Sequence, residues 1–148
     1  AYINLGGIQS LQGKEHEVEA TLRNALARLP REASLHHALG LSLVRSGRLS
    51  DALPELELAT RYSPEAEFAY AYAVALHSAG RARDAIRALE AARALHPNDR
   101  DILFGLAAFY RESGDTAAAL RHAQHLARVH PDDARGQAIL ESLKPPDS

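Results

Sequence analysis

The stretch 39–64, LGLSLVRSGRLSDALPELELATRYSP, decides the fold because its marks recur along the chain. It opens on a Leu-Gly pair, carries a glycine at 47 and an alanine at 52, and closes on a proline. Each mark has four copies, and all four sets share the same spacings of 34, 33 and 34 along the sequence. The four sets are Pro30, Pro64, Pro97 and Pro131; Gly13, Gly47, Gly80 and Gly114; Leu5-Gly6, Leu39-Gly40, Tyr72-Ala73 and Leu106-Ala107; and Val18, Ala52, Ala85 and Ala119. Because independent marks share one register, the chain is an array of repeats.

Each repeat is predicted to form two helices. The first has an apolar stripe at three-and-four spacing, as in Leu35, Leu39, Leu43 and Val44, and ends at a glycine that adopts the left-handed conformation of a helix stop. These stops are Ser-Gly-Arg at 46–48, Ala-Gly-Arg at 79–81 and Ser-Gly-Asp at 113–115. The second helix begins near an oxygen-bearing side chain that caps free N–H groups, and it ends at the residue before a proline. The starts are Ser50-Asp51, Asp84 and Asp115-Thr116, and the ends are Leu29, Ser63, His96 and His130.

The composition also predicts an all-α protein. Alanine and leucine supply 29 and 22 of the 148 residues, whereas valine, isoleucine and threonine together supply only 12. Small residues at repeated positions let the two helices of a pair approach closely. In the first helices they are Gly6, Gly40, Ala73 and Ala107, and in the second helices Ala52, Ala85, Ala119, Ala25, Ala59 and Ala92. Because one pair cannot bury both of its faces, successive pairs are expected to stack into a right-handed superhelical solenoid.

The period, the Leu-Gly pair, the turn glycine, the alanine of the second helix and the closing proline together resemble the tetratricopeptide repeat (TPR) family. The resemblance implies four repeats, at 1–32 (lacking its first two residues), 33–65, 66–99 and 100–133. It also implies a solvating C-terminal helix at 134–144 that covers the open end, and a tail at 145–148. Val18 and Leu126 stand where the family has alanine. Since residues 1–5 already read as the interior of a helix, we expect further sequence before Ala1.

The resemblance implies that a partner binds along a concave groove lined by the first helix of each pair. The lining residues in this sequence are Ile3, His37, Leu41, Val44, Arg45, Tyr70, Val74, His77, Phe104, Ala108 and Arg111. Such a lining suits an extended peptide or an amphipathic helix, anchored by Tyr70 and Phe104 and oriented by Arg45 and Arg111. The positions that form a carboxylate clamp in chaperone-binding TPR proteins lack the required Lys, Asn and Arg, so we do not expect a chaperone tail as the ligand.

Several other functions are not expected. The formal net charge of −2 gives no basic field for nucleic acid, and the absence of cysteine excludes disulfides, thiolate metal sites and covalent haem attachment. No apolar run is long enough for insertion into a membrane. His122 and His125 are three residues apart on one helix, but no third metal ligand is evident, so neither a metal nor another cofactor is predicted. No nucleophile or acid–base constellation points to an enzyme.

The sequence therefore predicts a non-catalytic scaffold that binds a protein or a peptide. One alternative is an accessory domain of a larger bacterial protein, because the stretch 68–77, FAYAYAVALH, resembles the TPR region of proteobacterial multihaem cytochromes. Another is self-association, since the open end of a solenoid can stack on a second copy. A ratio of 15 Arg to 2 Lys suggests a GC-rich genome and leaves open whether the compartment is the bacterial cytoplasm or the periplasm.

Overall fold

The computed structural model describes the backbone of residues 5–146 and the side chains of residues 13–146. Within this range the chain forms α-helices and no strand, which confirms the predicted all-α class. The helices are α1 (Leu5–Arg28), α2 (Ala33–Arg45), α3 (Leu49–Tyr62), α4 (Ala66–Ser78), α5 (Ala82–Leu95), α6 (Arg100–Ser113), α7 (Thr116–Val129) and α8 (Ala134–Ser142). None of them is both long and apolar enough to cross a membrane, as judged over the same described residues.

The helices group into two compact units. Unit 1 ends at Ser63 and contains α1 to α3, with α2 packed against both α1 and α3. Unit 2 begins at Pro64 and contains α4 to α8. In unit 2, α4 pairs with α5 and α6 pairs with α7, while α6 also contacts α4, α5 and α8. Each unit thus has the helix-pair packing that the repeat predicts.

The turns within the pairs follow the predicted glycine stops. Gly47, Gly80 and Gly114 have φ angles of 74°, 79° and 89°, and they are the residues with positive φ in the described chain. This left-handed region is accessible to glycine at little cost, so the first helix can end sharply and the second can return alongside it. The second helices end beside the prolines as expected, with Ser63, His96 and His130 as the C-caps of α3, α5 and α7.

The small residues lie where helices approach closely. A Cβ atom added to Gly40 of α2 would lie 2.5 Å from the Cγ and Cδ2 atoms of Leu56 in α3, so the Leu56 side chain occupies the space above this glycine. At the other positions of this kind in α3 to α7, the alanines are buried, namely Ala52, Ala59, Ala73, Ala85, Ala92, Ala107 and Ala119. The predicted steric role of these residues is confirmed from α2 to α7.

Two of the predicted helix caps are wrong. Asp51 and Asp84 lie in the first turns of α3 and α5, but neither caps the helix. Each instead accepts a hydrogen bond from the Nε of an arginine three residues earlier, Arg48 at 3.1 Å and Arg81 at 2.9 Å. These arginines occupy the N-cap positions and have no side-chain oxygen with which to cap. The carboxylates still lie near the positive end of the helix dipole.

Three other aspartates do cap helices. Asp115 accepts a hydrogen bond from the backbone N–H of Ala118 at the start of α7, as predicted. Asp99 does the same for α6, and Asp133 does so for α8. All three stand at the N-cap position itself, one residue before the helix, where a short side-chain oxygen can reach the free N–H groups.

The first repeat differs from its prediction. Helix α1 runs without interruption for 24 residues, and Gly13 lies inside it although this glycine is in register with the three turn glycines. Good helix formers follow Gly13, namely Lys14 and Glu15, but arginines also follow Gly47 and Gly80, which do turn, so the next residues do not account for the difference. A glycine inside a helix costs only about 1 kcal/mol, so nothing local makes the helix stop at this position.

The predicted C-terminal helix is present as α8 and packs on α6 and α7. Ile139 is buried in a cluster with Ala107 and Ala123, and Leu140 and Leu143 are partly buried against the same cluster. Gln137, Ala138 and Glu141 are exposed. Helix α8 therefore covers the apolar side of the last helix pair with one face and meets water with the other.

Candidate ligand-binding face

The predicted groove residues fall on three helices in two units. His37, Leu41, Val44 and Arg45 lie on α2 in unit 1, and Ile3 lies outside the described residues. Unit 2 carries a set on α4 and α6 that we call the α4–α6 face, namely Tyr70, Val74, His77, Phe104, Ala108 and Arg111. Since α4 packs beside α6, members that are one repeat period apart occupy equivalent places on neighbouring helices.

The two aromatic residues of the α4–α6 face are half-buried. The ring of Tyr70 lies against α6, where its Cε1 atom is 3.3 Å from the point that a Cβ atom would occupy at Gly105. The absence of a side chain at Gly105 therefore leaves room for this ring. Burial raises the pKa of Tyr70 above its ordinary value, and the nearby Asp101 carboxylate acts in the same direction. The phenol consequently stays neutral at physiological pH.

An arginine from α8 covers Phe104. The guanidinium carbon of Arg135 lies 4.5 Å from the centre of the Phe104 ring, within the range of a cation–π contact. Its Nη2 atom donates hydrogen bonds to Asp101 Oδ1 at 2.9 Å and to Asp133 Oδ2 at 2.8 Å. The hydrogen bonds from Arg135 lower the pKa of Asp133 to about 2. Arg135 was missed in the sequence, although it stands one repeat period after Asp101 and so continues the register into α8.

The opposite end of the α4–α6 face is polar. The His77 ring stacks on that of Phe109, with centroids 4.2 Å apart and planes inclined by 3°, and the same histidine pairs with Glu112. Arg111 donates from Nη1 to Ser142 Oγ at 2.9 Å. Phe109 and Ser142 were not predicted as members of this site. No sequence signal identifies them, because each depends on how a neighbouring helix is rotated.

Between these two ends the face is aliphatic. Val74 is 38% exposed although it is a large apolar residue, and Ala108 beside it is half-buried. The α4–α6 face thus has aromatic residues and a fixed cation at one end, an apolar centre, and hydrogen-bonding groups at the other. Such a surface can bury an apolar side chain of a ligand and fix the polar groups on either side of it.

The four predicted groove residues on α2 differ in how exposed they are. Val44 is exposed and Leu41 is half-buried, but His37 is only 8% exposed. Arg45 donates to Glu15 Oε1 at 3.0 Å, and Ser42 donates to Oε2 of the same carboxylate at 2.7 Å. These hydrogen bonds lower the pKa of Glu15. Arg45 is therefore engaged with α1, so a ligand would have to share its guanidinium with Glu15.

A partly buried polar cluster lies elsewhere in unit 2, between α5, α6 and α7. The hydroxyl of Tyr110 donates to Glu90 Oε2 at 2.9 Å, and its ring stacks on that of His122 with centroids 5.6 Å apart. Burial and the Glu90 carboxylate raise the pKa of Tyr110 to about 12, whereas burial lowers the pKa of His122. Burial would raise the pKa of Glu90, but the hydrogen bonds from Arg93 and Tyr110 outweigh it and the net shift is downward. Every member is engaged with another, so the cluster is a structural element.

The histidines considered as metal ligands do not converge. His122 belongs to the partly buried polar cluster, His125 pairs with the side chain of Asn98, and His130 meets the backbone carbonyl of the same residue. Across residues 13–146, no group of three or more potential ligands is close enough together to hold a metal ion. His96 and His130 lie at helix ends as predicted, and His96 Nε2 is 2.6 Å from the carbonyl oxygen of Pro64.

These features define a helical-repeat protein of the solenoid class, built from stacked helix pairs. Sequence models of the tetratricopeptide repeat match residues 37–82 and 76–143. The chain belongs to the tetratricopeptide repeat family, whose members are scaffolds for protein interaction. No curated protein matches the sequence.

Solved structures show the same fold. The crystal structure of MamA has a TM-score of 0.79 at 20% identity, with 97% of this chain and 84% of that chain covered. YrrB, described as a TPR protein with an unusual peptide-binding site, has a TM-score of 0.76 at 19% identity and coverages of 92% and 71%. PilF of Pseudomonas aeruginosa has a TM-score of 0.78 at 21% identity and coverages of 94% and 63%. At such identities the similarity establishes the TPR solenoid fold.

Proposed function

We propose that the protein is a non-catalytic scaffold that binds an extended peptide, or an amphipathic helix of a protein partner, on the α4–α6 face. The observation that carries this proposal is the exposure of Val74 beside the half-buried rings of Tyr70 and Phe104. An apolar centre flanked by aromatic anchors and polar groups is the usual composition of a peptide-recognition surface.

The fixed side chains around Val74 favour a preformed site. Arg135 is held by two carboxylates and by the Phe104 ring, and His77 is held by Phe109 and Glu112. A ligand that binds there loses little free energy in ordering the protein. A few apolar contacts of this kind correspond to an affinity on the order of micromolar, about −8 kcal/mol.

The orientation of the ligand would come from Arg111. Its side chain is exposed, and its contact in the unbound protein is the neutral hydroxyl of Ser142. A carboxylate of the ligand would give Arg111 a charge-assisted hydrogen bond, which is stronger than the bond to a hydroxyl. The solved structure of YrrB supports the proposal in general terms, since YrrB is described as a TPR protein with an unusual peptide-binding site.

The first test combines peptide selection with two matched variants. A random peptide library displayed on phage is selected against the protein, and the affinities of the selected peptides are measured by calorimetry. Val74→Glu places a charge in the centre of the face and should weaken binding by about tenfold or more. Leu120→Glu is the control, because Leu120 on α7 is 36% exposed and lies outside the α4–α6 face. Equal effects of the two substitutions would contradict the proposal.

A further inference from the structure

The second helices of unit 2, α5 and α7, are separated from each other. Within the described chain their backbones do not pack together, although α6 packs against both. Side chains from the three helices meet in the space between α5 and α7, which we call the α5–α7 furrow. The furrow is formed by Glu90 and Arg93 of α5, Tyr110 of α6, and Arg121, His122 and His125 of α7. None of these residues belongs to the α4–α6 face.

His122 is a buried polar residue whose hydrogen-bonding capacity is unused. It is only 7% exposed, and its ring stacks on the ring of Tyr110. No group in residues 13–146 forms a hydrogen bond with either of its ring nitrogens, and neither nitrogen is sealed from solvent. A neutral imidazole has one N–H donor and one acceptor nitrogen, and leaving both unpaired is unfavourable in a buried ring. His122 is therefore available to a group from outside the chain.

The charged groups around His122 leave its surroundings positive. Glu90 is the acidic member of the furrow, and it already accepts hydrogen bonds from Tyr110 at 2.9 Å and from Arg93 at 2.8 Å. Arg121 is exposed and forms no hydrogen bond or ion pair within the described chain. Helix α7 has no acidic residue of its own. An anion that enters the furrow would therefore meet an unpaired guanidinium next to an unpaired imidazole.

A second unpaired cation, Arg128, lies further along α7. It is exposed, and it too has no hydrogen bond or ion pair in the part of the chain that the structure describes. Arg121 and Arg128 are two helical turns apart, so they lie on one side of α7 with about 10 Å between them along the axis. In a segment with polyproline II geometry, residues three positions apart lie on one side with about 9 Å between them. The two arginines therefore match two acidic residues at that spacing.

We propose that the α5–α7 furrow binds an acidic segment of a protein partner, with one carboxylate on Arg121 and His122 and a second carboxylate on Arg128. The ligand is acidic because a carboxylate forms charge-assisted hydrogen bonds with these unpaired groups. It is a segment of a chain because two cations at this distance are engaged together only by linked carboxylates. Nucleic acid is not favoured, since the formal net charge of this protein is −2. The α4–α6 face takes no part, so this inference does not rest on the proposed function.

Binding of the segment should be coupled to uptake of a proton by His122. In the free protein, burial lowers the pKa of this histidine; Arg93, Arg121 and His125 act in the same direction, and Glu90 acts against them. The ring is therefore neutral near pH 7. A carboxylate bound beside the ring favours the imidazolium, so a proton passes from solvent to a ring nitrogen. The affinity should rise as the pH falls from about 7.5 to about 6, where the glutamates of the ligand stay ionised.

The experiment measures binding of a labelled peptide, Gly-Ser-Glu-Pro-Pro-Glu-Ser-Gly, to the full chain by fluorescence anisotropy. The same peptide with glutamine in place of both glutamates should bind at least about tenfold more weakly. Arg121→Gln should weaken binding of the glutamate peptide by about tenfold, because it removes a charge-assisted hydrogen bond.

Two substitutions outside the furrow are the controls. Arg87→Gln is matched to Arg121→Gln, since Arg87 is exposed, stands one repeat period earlier and lines a different depression with Tyr72 and Leu76. It should change the affinity by less than about twofold. Val74→Glu should also leave the affinity unchanged, so failure of this proposal is distinguishable from failure of the α4–α6 face as a binding site.

The pH dependence tests the role of His122. The parent chain should bind the peptide about fivefold more tightly at pH 6.0 than at pH 7.5. His122→Phe keeps a ring against Tyr110 and should show a clearly smaller change, since His125 titrates in both proteins. Equal pH dependence in the two proteins, or equal effects of Arg121→Gln and Arg87→Gln, would overturn the proposal.

Two further probes test whether the occupant is an acidic segment. Free glutarate that binds as tightly as the peptide would contradict a segment and assign the furrow to small acids. Vesicles of phosphatidylcholine with phosphatidylglycerol that bind more tightly than the peptide, and lose this binding in Arg121→Gln, would assign it to a membrane surface. Circular dichroism checks that each variant is folded, and Arg121→Gln changes an exposed side chain, so it keeps the test decisive if His122→Phe unfolds.

Discussion

The first and second repeats carry the same sequence marks but form different structures. In the second repeat, Gly47 turns the chain, α2 returns against α3, and Leu56 is completely buried beneath Gly40. In the first repeat, Gly13 remains helical, and Val18 and Leu22 are left partly exposed. The comparison shows that the marks specify which surfaces are complementary. Whether the two surfaces meet within one chain depends on whether the turn forms.

The largest change in unfolding free energy is expected when the leucines at one repeat position, Leu56 and Leu22, are replaced by alanine. Leu56→Ala should lower the free energy of unfolding by about 3–5 kcal/mol, because it removes a fully buried side chain and leaves a cavity. Leu22→Ala should cost only about 1 kcal/mol, because this side chain is already partly exposed to water in the folded protein. Guanidinium unfolding followed by circular dichroism measures both. Equal losses would mean that the first repeat is as closed as the second.

The next largest change in stability is expected from substituting alanine for Gly13 and Gly114, which stand at the same repeat position. A Cβ atom would meet nothing within 4 Å at Gly13 or at Gly114, so only the backbone conformation distinguishes them. Gly114→Ala should destabilise the protein by about 1–2 kcal/mol, since φ is 89° there. Gly13→Ala should instead stabilise it by about 0.5–1 kcal/mol, because alanine is the better residue inside a helix. Thermal unfolding reports both changes, and a loss of stability in Gly13→Ala would indicate a turn at that position.

The smallest expected effect is a pH dependence of stability that comes from a histidine in unit 2, at a repeat position where α1 has no titratable side chain. Burial lowers the pKa of His122 in the folded protein, whereas Thr21 occupies the equivalent position in α1. The unfolded chain therefore binds the proton more readily, and the stability contributed by His122 should fall as the pH drops below about 6.5. His122→Phe keeps a ring against Tyr110 but removes this titration.

The measurement is the difference in unfolding free energy between the parent chain and His122→Phe across the acid range. We expect this difference to be constant above pH 6.5 and to shift in favour of the variant below it, by about 1 kcal/mol for each unit of pKa displacement. His125, whose pKa is also lowered, contributes equally to both proteins and cancels. A difference that does not change with pH would mean that His122 titrates as in the unfolded chain.

Much of the fold could be predicted because its determinants are local. The glycines at 47, 80 and 114 and the prolines mark helix ends through backbone sterics alone, and the small residues mark close approaches through the register. Gly13 was not distinguishable in the sequence, because it stands in register with the glycines that turn and, like Gly47 and Gly80, is followed by a good helix former. The caps at Asp51 and Asp84 were wrong because both residues lie inside the first turn of their helix, and an arginine stands at each N-cap position.

The candidate site was only partly predictable. The register placed Tyr70, Val74 and Phe104 on neighbouring helices, since residues one period apart recur at equivalent positions. The contact of Arg135 with Phe104 depends on the packing of α8 against α6, and the stack of His77 on Phe109 depends on the rotation of α6. Both contacts join residues that are about thirty positions apart in the sequence, so they form only when the helices pack.

The sequence by itself determined the helical class, the repeat period and the complementary pairs of small and large residues, because steric and backbone preferences act over a few residues. Only the tertiary structure decided which of these pairs meet. Gly40 meets Leu56 within one chain, whereas the continuous helix α1 separates Gly6 from Leu22. The physical reason is that a turn forms or fails through a balance of about 1 kcal/mol at a single residue, while its outcome moves an entire helix.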